Sequence, residues 1–136
     1  MSEENVELVE RIHDAWRRGE AREALSLLDP EIEWGNPPHA VEPGTRRGVA
    51  EFNEALGAVS DTFDRPVLDT EQVIDAGDKV VVVGMLRGRG QSSGASGERR
   101  QGYVWTVRDG KAVRFAWFND PAAALREAGI DPGAEG

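Results

Sequence analysis

Apolar positions along this chain follow two periods, and the change between them divides it. Up to about residue 60 the spacing is helical. Leu8, Val9, Ile12, Ala15 and Trp16 repeat at i, i+1, i+4, i+7 and i+8, one stripe of a helix predicted over 3–18. Ser2 can cap it, Glu3 and Glu4 sit at its start, Arg17 and Arg18 at its end, and Gly19 follows, an order that suits the helix dipole. A short second helix over 20–28 presents Ala21, Ala24, Leu25 and Leu28 before Asp29-Pro30 stops it. Residues 31–34 alternate and read as a short strand, and residues 35–44 are too rich in Pro and Gly for regular structure. A third helix opens near Gly48, with Val49, Phe52, Leu56 and Val59 on one side.

Beyond residue 65 the period becomes two. Strands are predicted over 66–76, 79–89, 98–107 and 112–118, with turns at Gly77-Asp78, over 90–97, and at Asp109-Gly110. The last hairpin admits two registers. A two-residue turn at Asp109-Gly110 puts Trp105 on a face with Arg114. A three-residue loop, Arg108-Asp109-Gly110 with Gly110 left-handed, gathers Tyr103, Trp105, Val107, Val113, Phe115 and Trp117 on one side. The second is preferred, because a one-residue slip would bury a charge. The three helices must cover that aromatic face. Asn119-Asp120-Pro121 then opens a final helix over 122–128, ended by Gly129.

Helices followed by a meander with one aromatic face predict an α+β fold, a curved, mostly antiparallel sheet wrapped round helices. The length of 136 residues suits one domain, residues 1–130, with 131–136 as a tail. The longest apolar run, Val80–Val83, is far below the ~20 residues that cross a bilayer, and the N-terminus has no signal-peptide pattern. A cytoplasmic location without membrane contact is the expectation. The absence of cysteine excludes disulfides and thiolate chemistry. A net charge of −9 argues against nucleic acid as a partner. The charge is uneven: residues 81–118 carry +5 and the remainder −14. That basic stretch reads as a solvated or subunit-facing sheet surface, with an anion or acidic partner as the alternative.

Few residues offer chemistry. Gly90-Gln91-Ser92-Ser93-Gly94 matches a nucleophile-elbow pattern, but on a hairpin tip rather than the strand-to-helix turn that the elbow requires. The two histidines, His13 and His39, lie on different elements and make no metal pair, so no metal and no cofactor is implied. His39, in the Pro-rich loop, is the candidate general acid or base, against the alternative of a solvated loop residue. His13 flanks the first helix, roughly 100° from Ile12, which suggests partial burial. Asp120 is a helix cap or a carboxylate at the end of the last strand. Tyr103 is an oxyanion donor or a core residue with a satisfied hydroxyl. Trp16, Trp34, Trp105 and Trp117 are core, or a flat apolar ligand wall.

The element order, Arg18-Gly19-Glu20, Glu33-Trp34 before a Pro-rich loop, Arg47-Gly48, the run from Val104 to Lys111, and the run from Ala123 to Ile130 resemble the SnoaL-like branch of the NTF2-like superfamily. The likeness covers residues 3–130. It implies a cone-shaped roll with an apolar pocket, commonly a homodimer through its sheet. Members of the family include ketosteroid isomerases, polyketide cyclases, dehydratases, epoxide hydrolases and non-enzymes. Position by position, the isomerase helix tyrosine falls on Ile12, the general-base aspartate before a proline on Asn36, and the protonated aspartate on Tyr103. The cyclase His-x-Asp pair falls on Phe115 and Trp117. Only Tyr103 keeps a usable hydrogen.

The expectation is a pocket protein for a small apolar, cyclic ligand. It is either an acid–base enzyme using His39, Tyr103 and Asp120, or a non-catalytic binder; a protein-interaction module is a third option. Trp16, Trp34, Phe52, Trp105, Phe115, Trp117 and Asn119 would contact the ligand.

Overall fold

The computed structural model describes residues 2–36, 44–90 and 96–131. The first helix, α1 (Ser2–Arg17), includes Ser2 rather than being capped by it. Its end is closed as the sequence predicts. Gly19 takes φ +76°, its N–H donates to the Trp16 carbonyl at 3.0 Å, and the Glu20 N–H donates to the Ala15 carbonyl at 2.8 Å. A side chain at that φ would be strained, so glycine is what lets both orphan carbonyls find donors. There follow α2 (Ala21–Ser26), β1 (Leu28–Asn36), β2 (Gly44–Arg47), α3 (Val49–Thr62), β3 (Phe63–Ala76), β4 (Lys79–Gly90), β5 (Ser96–Arg108), β6 (Lys111–Phe118) and α4 (Pro121–Glu127).

The strands form one six-stranded sheet in the order β2-β1-β6-β5-β4-β3. Every pair is antiparallel except β1 with β6. The sequence pattern predicts β1 as four residues and omits β2. Residues 44–47, Gly-Thr-Arg-Arg, have no apolar alternation to signal a strand. They are held instead by pairing with residues 33–36 and by Arg47, whose guanidinium donates to Glu33 at 2.6 Å.

The β5–β6 hairpin corrects one expectation and preserves its consequence. Arg108 pairs with Lys111, so the turn has two residues, Asp109 and Gly110, at φ +51° and +75°. Both left-handed residues match the twist of the flanking strands. The register then shifts between Thr106 and Val107, so that Val113 is the extra residue of a bulge. Beyond it Trp105 lies opposite Phe115 and Tyr103 opposite Trp117, the faces expected from a three-residue loop. The bulge also changes one inward residue: Ala112, fully buried, takes the place predicted for Val113.

The helices α1, α2 and α3 cover one face of the sheet, where Val9, Ile12, Phe52, Val82 and Trp105 are wholly buried. The opposite face carries the alternate residues Val81, Val83 and Val104, which pack against Ala124 and Leu125 of α4. Part of the outer sheet face is thus covered by the chain itself. Gly102 makes this approach possible, since a methyl group there would lie 2.6 Å from Ala124 Cβ and 3.1 Å from Pro121 Cα. No helix among the described residues is long and apolar enough to cross a membrane.

Candidate functional site

Strand alternation sends Trp34 of β1, Tyr103 and Trp105 of β5, and Phe115 of β6 to the helix-covered face, where Trp16 of α1 and Phe52 of α3 meet them. The rings touch in series. Centroids are 4.6 Å apart for Trp105–Phe115, 4.8 Å for Trp34–Phe115 and 5.0 Å for Trp34–Phe52, and Trp16 stacks on Phe52 at 6.1 Å and 11°. The residues that the sequence singles out as a ligand wall are therefore brought together, and they pack largely on one another. Trp117 is partly buried at the margin of this cluster.

Most polar atoms in and around the cluster are satisfied, and the pattern fixes their orientation. Trp34 and Trp117 both donate their indole N–H to Asn36 Oδ1, at 2.8 and 2.7 Å. Tyr103 donates its hydroxyl hydrogen to Gln101 Oε1 at 2.6 Å, and Gln101 Nε2 donates to Asn119 Oδ1 at 3.0 Å. The tyrosine hydrogen considered for an oxyanion is thus engaged, and Asn119 belongs to the same polar chain. Burial also pushes the Tyr103 hydroxyl well above its ordinary pKa.

His13 enters this interior from α1. Its ring stacks on Tyr103 at 6.1 Å and meets Trp16 and Trp105 edge-on. Trp105 Nε1 donates to His13 Nε2 at 3.0 Å. Burial first, and then the nearby Arg17 charge, lower the imidazole pKa from 6.5 to about 4. The ring is neutral at physiological pH. One polar atom finds no partner: the indole nitrogen of Trp16 is buried and hydrogen-bonds to nothing among the described residues.

A cleft of about 290 Å³ opens between α1 and strands β3 and β4. Val9, His13, Val73 and Val82 lie inside it, and Glu10, Asp14, Arg17 and Thr70 form its rim. His13 separates this cleft from the aromatic cluster. A second cavity, about 420 Å³, lies on the outer face beneath α4, lined in part by Glu71, Arg100, Asp120 and Leu125. Asp120 is there as the cap of α4, accepting the Ala122 N–H at 3.0 Å, and it lies on the far side of the sheet from Tyr103. His39, with the Pro-rich loop, and the segment 91–95 of the glycine–serine tip lie outside the described residues, as do the side chains of Leu56 and Val59. Among the described residues, no three His, Asp or Glu side chains gather as metal ligands.

Three residues of this interior carry little signal in the sequence. His13 borders the apolar stripe of α1, but only Trp105, 92 positions away, shows that its ring turns inward. Asn36 is discounted as a lost base, whereas its oxygen gathers two indoles. Gln101 gives no sequence signal beyond its place two residues before Tyr103.

A family model described as the SnoaL-like domain matches residues 9–115. An NTF2-like protein of unknown function from Burkholderia pseudomallei superimposes with a TM-score of 0.76 at 25% identity, covering 90% of this chain and 95% of its own. The protein TerC, co-crystallised with polyporic acid, gives a TM-score of 0.74 at 27% identity, over 93% of this chain and 98% of its own. An uncharacterised protein of Mycobacterium tuberculosis is 26% identical over 120 residues, 88% of this chain and 92% of its own length.

Proposed function

The chain belongs to the SnoaL-like domain family, and on that premise we propose that it binds a small, flat, largely apolar cyclic compound through its aromatic interior. The observation that carries this is the buried N–H of Trp16, which has no partner among the described residues. An unsatisfied buried donor costs about 1–3 kcal/mol, and buried polar groups in folded proteins are nearly always paired. A ligand oxygen against that indole would satisfy it, while Trp16, Phe52 and Trp105 supply the flat apolar surroundings. The co-crystallisation of TerC with polyporic acid supports a small organic ligand for this chain as well.

Binding is favoured over acid–base catalysis by the state of the interior groups. Near neutral pH the two titratable side chains of the aromatic interior, His13 and Tyr103, are both held uncharged. Proton transfer in the pocket would then fall to His39. The same reading includes a homodimer, the common assembly of this family; a 14.8 kDa particle in light scattering would count against it.

Calorimetric titration with polyporic acid tests the binding reading. The wild type should bind it, and Trp16→Phe should bind about 3–10-fold more weakly, the usual worth of one hydrogen bond. Unchanged affinity in Trp16→Phe would remove the indole from the site. Native mass spectrometry of the purified protein should show a copurified mass that denaturation releases.

A further inference from the structure

The cleft between α1 and β3–β4 has an apolar lining of Val9, Val73 and Val82 and one polar group at its inner end, His13. The tautomer of that histidine is fixed by its neighbour. An indole nitrogen can only donate, so the Trp105 N–H at 3.0 Å requires Nε2 to be the accepting nitrogen. A neutral imidazole then carries its hydrogen on Nδ1. The two ring nitrogens point away from each other, and Nδ1 has no hydrogen-bond partner among the described residues.

The rim selects further. A carboxylate would lose its hydration against Val9, Val73 and Val82, and the rim cation Arg17 is already shared with Asp14 at 3.8 Å. Asp14 is also tied to Arg18 at 2.9 Å. A neutral acceptor fits this setting better than a carboxylate.

We infer that His13 is the specificity-determining donor of the cleft, its Nδ1–H held toward a neutral carbonyl oxygen of the ligand by the Trp105 hydrogen bond at Nε2. This rests on the reading of the chain as a small-molecule pocket protein, and adds a second polar contact, at His13 beside Trp16, and the kind of oxygen it takes. An apolar body against Val9, Val73 and Val82 with a ketone toward His13 describes the ligand class.

Two measurements test it. The first needs no ligand. Nitrogen-15 NMR of histidine-labelled protein at pH 7 should show His13 neutral with its hydrogen on Nδ1, and Trp105→Phe should release the ring to a mixture of tautomers. A hydrogen on Nε2 in the wild type overturns the inference.

The second compares three probes by calorimetry: 2-acetylnaphthalene, 2-ethylnaphthalene and 2-naphthoate. The ketone should bind about 3–10-fold more tightly than the hydrocarbon of similar shape, and the carboxylate more weakly than the ketone. His13→Phe should abolish the preference for the ketone while still binding the hydrocarbon. Equal affinity for ketone and hydrocarbon in the wild type overturns this inference and leaves the pocket reading standing. Failure of both to bind counts against the pocket reading and this inference together.

Discussion

Asn36 and Trp117, 81 positions apart, are joined by an indole N–H donating to the carboxamide oxygen at 2.7 Å. The same oxygen accepts the Trp34 N–H at 2.8 Å. Three residues of the parallel β1–β6 pair are thereby fixed by one acceptor. Asn36→Leu leaves two indole donors without it and should destabilise the fold by about 2 kcal/mol. Asn36→Asp keeps an accepting oxygen and should cost less. Urea denaturation of both variants decides this, and a leucine variant no less stable than the aspartate would show that the indole bonds contribute little.

Gly102 and Gly35 provide a matched pair of glycines. A methyl group at either would lie 2.6 Å from a neighbour, but the neighbours differ. At Gly35 it is the end of the Arg114 side chain, which can swing aside. At Gly102 it is Ala124, with the Pro121 backbone at 3.1 Å, so α4 itself must move. Gly102→Ala should cost about 1–3 kcal/mol, in the range of overpacked cores, and Gly35→Ala clearly less. Chemical denaturation giving equal losses would mean that α4 is not tightly seated.

The stability of the fold should depend on pH through His13. Its folded pKa of about 4 lies below the ordinary 6.5, so the unfolded chain binds the proton more readily. Stability from this group is therefore intact above about pH 6.5 and is lost as pH falls toward 4, by up to about 3 kcal/mol. His13→Gln should show a shallower decline over that window, the carboxylates being common to both proteins. Parallel pH profiles for the two would show that His13 is solvated.

The Asp109-Gly110 turn requires two left-handed residues. Gly110→Ala places a Cβ at φ +75° and should cost about 1 kcal/mol, whereas Asp109→Asn should be tolerated. Thermal unfolding of the two variants is a sufficient check. A harmless Gly110→Ala would show that the turn can relax into the longer loop.

The chain's own pattern determined the helix stripes, the four long strands, the glycine after α1 and the aspartate cap of α4. These rest on local physics: side-chain period, backbone freedom at Gly19, and the oxygen of Asp120 beside an orphan N–H. The gathering of the aromatic residues on one face was legible for the same reason. What tertiary structure decided depends on partners remote in sequence. β2 exists because β1 pairs with it, and its four residues contain no period to read. Ala112 rather than Val113 turns inward because the tight turn and the bulge compensate one another, and either alone would reverse the faces. Burial makes the interior His13 neutral, and Trp105, 92 residues away, decides which of its nitrogens can donate. A period specifies which face of an element is apolar; it cannot specify which polar atom on the neighbouring element will meet a given ring.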